Sequence, residues 1–144
     1  MMLSAQEQLQ NLQKIGKLKA EPPNQVELDG LVMSAKRKLP DAENPTLSPD
    51  SRFILAYDAA HSLALAALRW HGFRSEARYI VFQVLGHTAA FPTAKWRFLD
   101  DCHQKRNAAL YDGQYFDDEK LIKELIAVAK DLQAAVAALG PVRS

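Results

Sequence analysis

The sequence feature that most restricts the fold is a long apolar stripe near the C-terminus. Asp117, Asp118 and Glu119 precede it, and acidic side chains favour a helix start because they complement the helix dipole. Gly140-Pro141 ends it. Between these signals, eight apolar residues share one face at the helical period: Leu121, Ile122, Leu125, Val128, Ala129, Leu132, Val136 and Leu139. Such a helix must bury its apolar face, so the segment predicts a packed helical domain.

Glycine, proline and capping residues divide the rest of the chain into further predicted helices. Asn24 with Glu27 resembles a capping box. Ser48 is a good N-cap followed by Pro49 at the first helical position. No alternation typical of strands competes with the helical pattern, so the sequence predicts an all-α fold. The predicted helices cover residues 3–18, 24–39, 48–71, 75–85, 93–111 and 117–139.

Length and composition favour one domain. At 144 residues the chain can bury a core, and we predict one compact unit made of an N-terminal helical extension (1–47) and an up-and-down four-helix bundle (48–140). The net charge of +1 argues against a dedicated DNA-coating surface. A single cysteine, Cys102, excludes an intrachain disulfide framework and a Cys-rich zinc site. The N-terminus lacks a secretory pattern, and no apolar run approaches the roughly 20 residues of a membrane span, so we expect a cytoplasmic protein without membrane contact.

Polar residues interrupt the apolar face of the helix predicted over 93–111. On a helical wheel Arg106 lies near the middle of the buried side, which also includes Leu110, and His103 and Asn107 flank it. An unpaired buried guanidinium is very costly, so Arg106 needs partners. A structural ion pair, or an outward-reaching arginine near the helix end, would explain it as well as a functional site does.

The helix predicted over 48–71 has two apolar faces. His61 lies within the main one and Asp58 at its edge, where both can face the Arg106 helix across a polar cleft. A single histidine on an apolar face is more often a hydrogen-bonded core residue than a catalyst. The second apolar strip indicates either a homodimer interface or a face covered by the N-terminal helices. The strip consists of Leu55, Ala59, Leu63, Ala66 and Trp70.

The run from Arg52 to about Leu139 resembles a HEPN domain. Three segments carry the resemblance, followed by the long closing helix: Tyr57-Asp58-Ala59-Ala60, His71-Gly72-Phe73-Arg74 and Arg106-Asn107-Ala108-Ala109-Leu110-Tyr111-Asp112-Gly113. The resemblance implies a four-helix up-and-down bundle, commonly a homodimer. It also implies a metal-independent ribonuclease without a cofactor, often the toxin of a toxin–antitoxin pair beside a nucleotidyltransferase-type partner.

The family's ribonuclease motif places a histidine where this chain has Tyr111. Arg106 and Asn107 match the motif, but tyrosine, with a pKa near 10, does not normally act as a base at neutral pH. Residues five apart on a helix also point about 140° from each other, so Arg106 and Tyr111 do not share a face. The residues expected at a site divide into two groups. The catalytic candidates are Arg106, Tyr111 and His61; the substrate-binding candidates are Asn107, His103 and Asp58; no metal ligands are expected.

Three functions remain open at this point. The first is a HEPN protein with a degenerate catalytic motif that binds RNA or nucleotide phosphate through Arg106. The second is an active metal-independent endoribonuclease toxin, in which His61 or His103 replaces the missing base. The third is a helical protein-interaction module whose polar residues are structural. The sequence favours them in that order.

Overall fold

The structure, a computed structural model, describes residues 3–113 and 117–142. Its elements are α1 (Ala5–Lys14), β1 (Lys19–Ala20), α2 (Gln25–Ala42), α3 (Pro49–Trp70), β2 (Phe73–Arg74), α4 (Arg78–Gln83), α5 (Leu85–Thr88), α6 (Thr93–Tyr111) and α7 (Glu119–Ala137). The prediction of a mostly helical chain is confirmed. None of the helices in these two ranges is long and apolar enough to cross a lipid bilayer.

Side-chain caps fix where three of the long helices begin. The side chain of Asn24 accepts a hydrogen bond from the Glu27 amide at the start of α2. Ser48 and Asp118 cap α3 and α7 in the same way. Each cap satisfies an amide that has no partner within its helix, so the starts predicted from these residues are confirmed.

The structure differs from the sequence prediction at several helix ends. Pro40, predicted in a loop, lies inside α2, because Ala42 is fully buried and its packing holds the last turn. The helix predicted over 75–85 is instead split at Val84 into the short helices α4 and α5, and α5 contains Gly86. Thr93 is the first residue of α6 rather than its cap, a position that Pro92 occupies.

A two-residue strand pairing also lies outside the predictions. Lys19 and Ala20 of β1 pair antiparallel with Arg74 and Phe73 of β2. Two residues are too few to produce a detectable alternation of apolar and polar side chains, so the sequence pattern gave no signal for them. The pairing ties the segment after α1 to the turn at the end of α3.

Four long helices, α2, α3, α6 and α7, form the frame of the described chain. Arg52 at the start of α3 bonds to Ala42 O at the end of α2, and Arg69 at the end of α3 bonds to Glu27 at the start of α2, so these two helices are antiparallel. Arg52 also pairs with Glu119 at the start of α7, and Trp70 donates to Gly140 O beyond its end, so α3 and α7 run parallel. Helix α2, which lies in the segment predicted as an N-terminal extension, therefore packs along α3 as one of the four long helices.

Helix α3 lies at the centre of this arrangement. Its second apolar strip is not open to solvent, because α2 and α7 pack along α3 and Ala59, Leu63 and Ala66 are fully buried. The predicted cover by the N-terminal helices is thus supplied in part by α2, and the C-terminal helix α7 supplies the rest. The homodimer, which the family resemblance implies, stays a prediction without this strip as its interface.

Arg69, near the end of α3, anchors the N-terminal part of the chain. Only 2% of the residue is exposed. Its guanidinium donates to the carboxylate of Glu27 at 2.8 Å and to the carbonyl oxygens of Glu21, Pro22 and Phe73. Arg74 joins the same network through Glu21 and Glu27. We call these four charged residues the N-terminal arginine network: Glu21, Glu27, Arg69 and Arg74.

Candidate functional site

The candidate site is built on a buried stack of aromatic and imidazole rings between α3 and α6. Tyr57 and His61 are four residues apart on one face of α3, and their ring centroids lie 6.2 Å apart. Phe82 of α4 contacts both rings edge-on. His103 of α6 stacks on Tyr57 with centroids 6.1 Å apart. The stack places a buried imidazole, His103, and a half-buried one, His61, beside the Tyr57 side chain.

A chain of hydrogen bonds links this stack to Arg106. The Tyr57 hydroxyl and His103 Nδ1 are 2.9 Å apart, and the Asn107 amide nitrogen and His103 Nε2 are 3.2 Å apart. Arg106 donates to the Asn107 side-chain oxygen at 3.4 Å. Because a guanidinium can only donate, this oxygen faces Arg106 and the Asn107 NH₂ donates to Nε2. Nδ1 of a neutral His103 then carries the proton and donates to Tyr57.

Two arginines lie on this stack. The Arg106 guanidinium carbon is 5.4 Å from the centroid of the Tyr57 ring, within the range of a cation–π interaction. Arg78, the exposed first residue of α4, is close enough to the Tyr57 hydroxyl to act on its pKa. Within residues 3–113 and 117–142 neither guanidinium forms an ion pair with a carboxylate. We call Arg78, Arg106, Tyr57, His61 and His103 the arginine–imidazole cluster.

Burial and positive charge keep the two histidines of the cluster neutral. Burial, together with the nearby Arg78, His103 and Arg106, lowers the pKa of His61 to about 4. The pKa of His103 is also lowered, mainly by burial, although Asp100 opposes the shift. Burial raises the pKa of Tyr57, against the influence of the two arginines. At pH 7 the fixed positive charges of the cluster are therefore those of its arginines.

One nitrogen of the His61 ring, Nε2, has no access to solvent. This atom is buried and has no hydrogen-bond partner within the described ranges. The His103 ring is 7% exposed and both of its nitrogens are engaged. A base must come within hydrogen-bond reach of the proton that it removes; in this arrangement both nitrogens of His103 are engaged, and Nε2 of His61 is out of reach of solvent.

The structure brings together most of the residues predicted from sequence. Arg106, Asn107 and His103 are linked directly, and His61 lies beside them through Tyr57 and Phe82. Asp58 is close enough to raise the pKa of Tyr57 but forms no ion pair with the cluster within the described ranges. Tyr111 is 78% exposed at the end of α6, as the 140° separation from Arg106 requires. Leu110, predicted on the buried face, is 53% exposed. A helical wheel gives only the direction of a side chain, and few of the described residues pack around the last turn of α6.

Two members of the cluster were absent from the sequence prediction. Tyr57 was not among the candidate site residues, although a hydroxyl four residues before His61 on the same face is a detectable sign of a buried polar pair. Arg78 lies 28 residues before Arg106 and on a short helix, so no local pattern connects the two. Cys102, beside His103, is fully buried; burial raises its pKa to about 12 and leaves its thiol unreactive.

The described part of the chain contains no group of three or more His, Cys, Asp and Glu side chains placed to hold a metal ion. The chain was also compared with protein-family models, with curated proteins and with solved structures, and none of them matches it.

Proposed function

We propose that this protein binds the phosphate groups of RNA, or of a nucleotide, at the arginine–imidazole cluster and does not cleave them. The observation that carries the proposal is the pair Arg78 and Arg106, two guanidiniums without a carboxylate partner in the described chain, beside the same tyrosine. Guanidinium groups bind phosphate in a bidentate way, and their donors are fixed in a planar fork. A phosphate would supply the negative charge that the cluster lacks.

The half-buried position of Arg106 strengthens this interpretation. Its ring contact with Tyr57 and its long bond to Asn107 use only part of its five donors. The remaining donors lie at the edge of a partly desolvated site, where a charge-assisted hydrogen bond contributes more than on an open surface. Arg106 is therefore held in one orientation by its own protein contacts while donors remain for a ligand.

Binding fits the cluster better than cleavage does. His61 and His103 have lowered pKa values, which makes them weaker bases; both nitrogens of His103 are engaged, and Nε2 of His61 is buried. Tyr111, at the position of the family's histidine, lies exposed at the helix end. The HEPN resemblance, with its toxin–antitoxin context and homodimer, agrees with RNA as the ligand. Tyr111 in place of the family's histidine agrees with a non-catalytic role.

The test is an RNA-binding titration with matched arginine variants. A fluorescent single-stranded RNA is titrated with wild type, Arg78→Ala, Arg106→Ala and Arg97→Ala at low salt. Arg97 is the control because it lies on α6 but contacts Trp96 instead of the cluster. A hydrogen bond to a charged group contributes about 1.5–3 kcal/mol, so each cluster variant should weaken binding about 10- to 100-fold. Arg97→Ala should change it less than about twofold.

Retained affinity in both cluster variants would exclude the proposed site. Equal losses in Arg97→Ala would indicate a diffuse electrostatic surface instead. Incubating labelled RNA with wild-type protein and EDTA tests the non-catalytic part of the proposal, because cleavage that disappears in Arg106→Ala would identify a metal-independent ribonuclease.

A further inference from the structure

We infer that a second pocket, next to Arg78, holds one unpaired base of the strand whose phosphate the arginine–imidazole cluster binds. The pocket has a volume of about 240 Å³ and lies between the end of α1, the β1–β2 pairing and the start of α4. The inference rests on the proposed function and identifies the ligand more narrowly, as single-stranded nucleic acid rather than a free mononucleotide.

The position of Arg78 joins the two sites. Ala77 and Tyr79, the residues on either side of Arg78 in the chain, line the pocket. The Arg78 guanidinium, in contrast, acts on Tyr57, His61 and His103 in the cluster. One short segment therefore borders both sites, so a ligand that contacts both needs a phosphate and a neighbouring base, as consecutive nucleotides provide.

The lining of the pocket suits a base with a phosphate near it. Tyr79 is half-buried and offers an aromatic side chain for stacking, a contact that every base can make. Lys17, Lys19 and Arg74 also line the pocket, against a single carboxylate, Glu76. Lys19 pairs with Glu76 and Arg74 with the N-terminal arginine network, which leaves Lys17 without an ion pair in the described chain.

The size of the pocket restricts the ligand further. Pockets for drug-sized molecules and cofactors measure roughly 300–1,000 Å³. A volume of about 240 Å³ is smaller and fits one base rather than a complete dinucleotide cofactor. A base can enter only if it is unpaired, so a duplex of the same sequence should lose this contact.

The experiment compares three ligands of equal length: single-stranded RNA, the same ribose-phosphate chain without bases, and the RNA duplex. Wild type should prefer the single strand over the abasic chain. Tyr79→Ala should lose about 5- to 100-fold of affinity for the single strand and leave the abasic chain unchanged. Tyr79→Phe keeps the aromatic ring and should bind as wild type does. Lys17→Ala should weaken both single-stranded ligands, whereas Lys14→Ala, outside the pocket, should weaken neither.

The melting temperature of Tyr79→Ala shows whether that variant folds. If it does not fold, Ala77→Met tests the pocket instead. Ala77 lines the pocket, so a longer side chain there occupies the space of the base and should remove the preference for base-bearing RNA. A preference that survives Ala77→Met, or a Tyr79→Ala loss that is equal for single-stranded RNA and the abasic chain, overturns the inference. If Arg78→Ala and Arg106→Ala bind like wild type, the proposed function fails; if they lose binding while the pocket variants do not, only this inference fails.

Discussion

The protein contains two pairs of arginines that contact different parts of α3, and they differ in what surrounds them. Arg69 and Arg74 meet two carboxylates and three backbone carbonyl oxygens in the N-terminal arginine network. Arg78 and Arg106 meet an aromatic ring, an amide and two neutral imidazoles in the arginine–imidazole cluster. The first pair is neutralised by the protein itself, whereas the second is not.

The difference separates a structural role from a ligand-binding one. A buried cation with all of its donors engaged fixes the elements around it, because removing it leaves partners that cannot reach water. A cation with unused donors at a partly buried position adds little to the fold but can bind an anion. The two pairs should therefore respond in opposite ways to truncation.

The largest expected effect is that of Arg69→Ala on stability. The variant leaves the carbonyls of Glu21 and Pro22 without this donor and leaves Glu27 with Arg74 alone, and breaking a buried ion pair of this kind costs about 3–5 kcal/mol. Urea unfolding should show this loss, whereas Arg106→Ala should lose less than about 1 kcal/mol. A larger loss for Arg106→Ala than for Arg69→Ala would reverse the assignment of the two pairs.

The second largest expected effect is a fall in the free energy of unfolding in mild acid, caused by His61 of the arginine–imidazole cluster. The pKa of His61 is about 4 in the folded protein, below its ordinary value of 6.5, so the unfolded chain binds more protons between these pH values. This contribution to stability is complete above pH 6.5 and is lost as the pH falls toward 4. Between pH 7 and pH 5 it amounts to about 2 kcal/mol.

His61→Phe should remove most of this pH dependence because it replaces the titrating ring with an apolar one among Tyr57 and Phe82. Urea unfolding at pH 7 and pH 5 measures it, with His87→Phe, outside the cluster, as the matched control. Arg106→Ala should reduce the loss in part, since Arg106 disfavours the proton on His61. An unchanged slope in His61→Phe would contradict the assignment.

The N-terminal arginine network should respond in a lower pH range. Burial alone would raise the pKa of Glu27, but its bonds to Arg69 and Arg74 lower it below its ordinary value of 4.5. Its contribution is therefore present above pH 4.5 and is lost only as the pH falls below that value. Acid titration thus distinguishes the two arginine pairs without any substitution.

Local signals were sufficient to predict the helical fold. The apolar period of α7 and the capping residues Asn24, Ser48 and Asp118 depend on neighbours within one turn, which a sequence displays directly. Helix ends that depend on tertiary packing were predicted less well. Pro40 stays helical because Ala42 is buried, and no local rule contains that information.

The candidate site was only partly predictable, for a related physical reason. Arg106, His103 and Asn107 lie within five residues of one another, so a helical wheel brings them together. Arg78 and Tyr57 join them through contacts between helices, and Arg69 pairs with carboxylates 42 and 48 residues away. Whether an arginine is neutralised depends on such distant pairing, and the sequence alone therefore did not separate Arg69 from Arg106.

The smallest expected effect is that of Tyr111→Ala, which tests whether the family motif or the arginine–imidazole cluster defines the site. Tyr111 is 78% exposed, so the variant should change stability by less than about 0.5 kcal/mol. RNA affinity should also stay within about twofold of wild type, because Tyr111 points about 140° away from Arg106 around α6. A loss of affinity as large as that of Arg106→Ala would mean that the ligand extends around the end of α6, where Leu110 is also exposed. Tyr111 would then serve as a stacking residue at the motif position, and the cluster would be only one part of a longer binding surface.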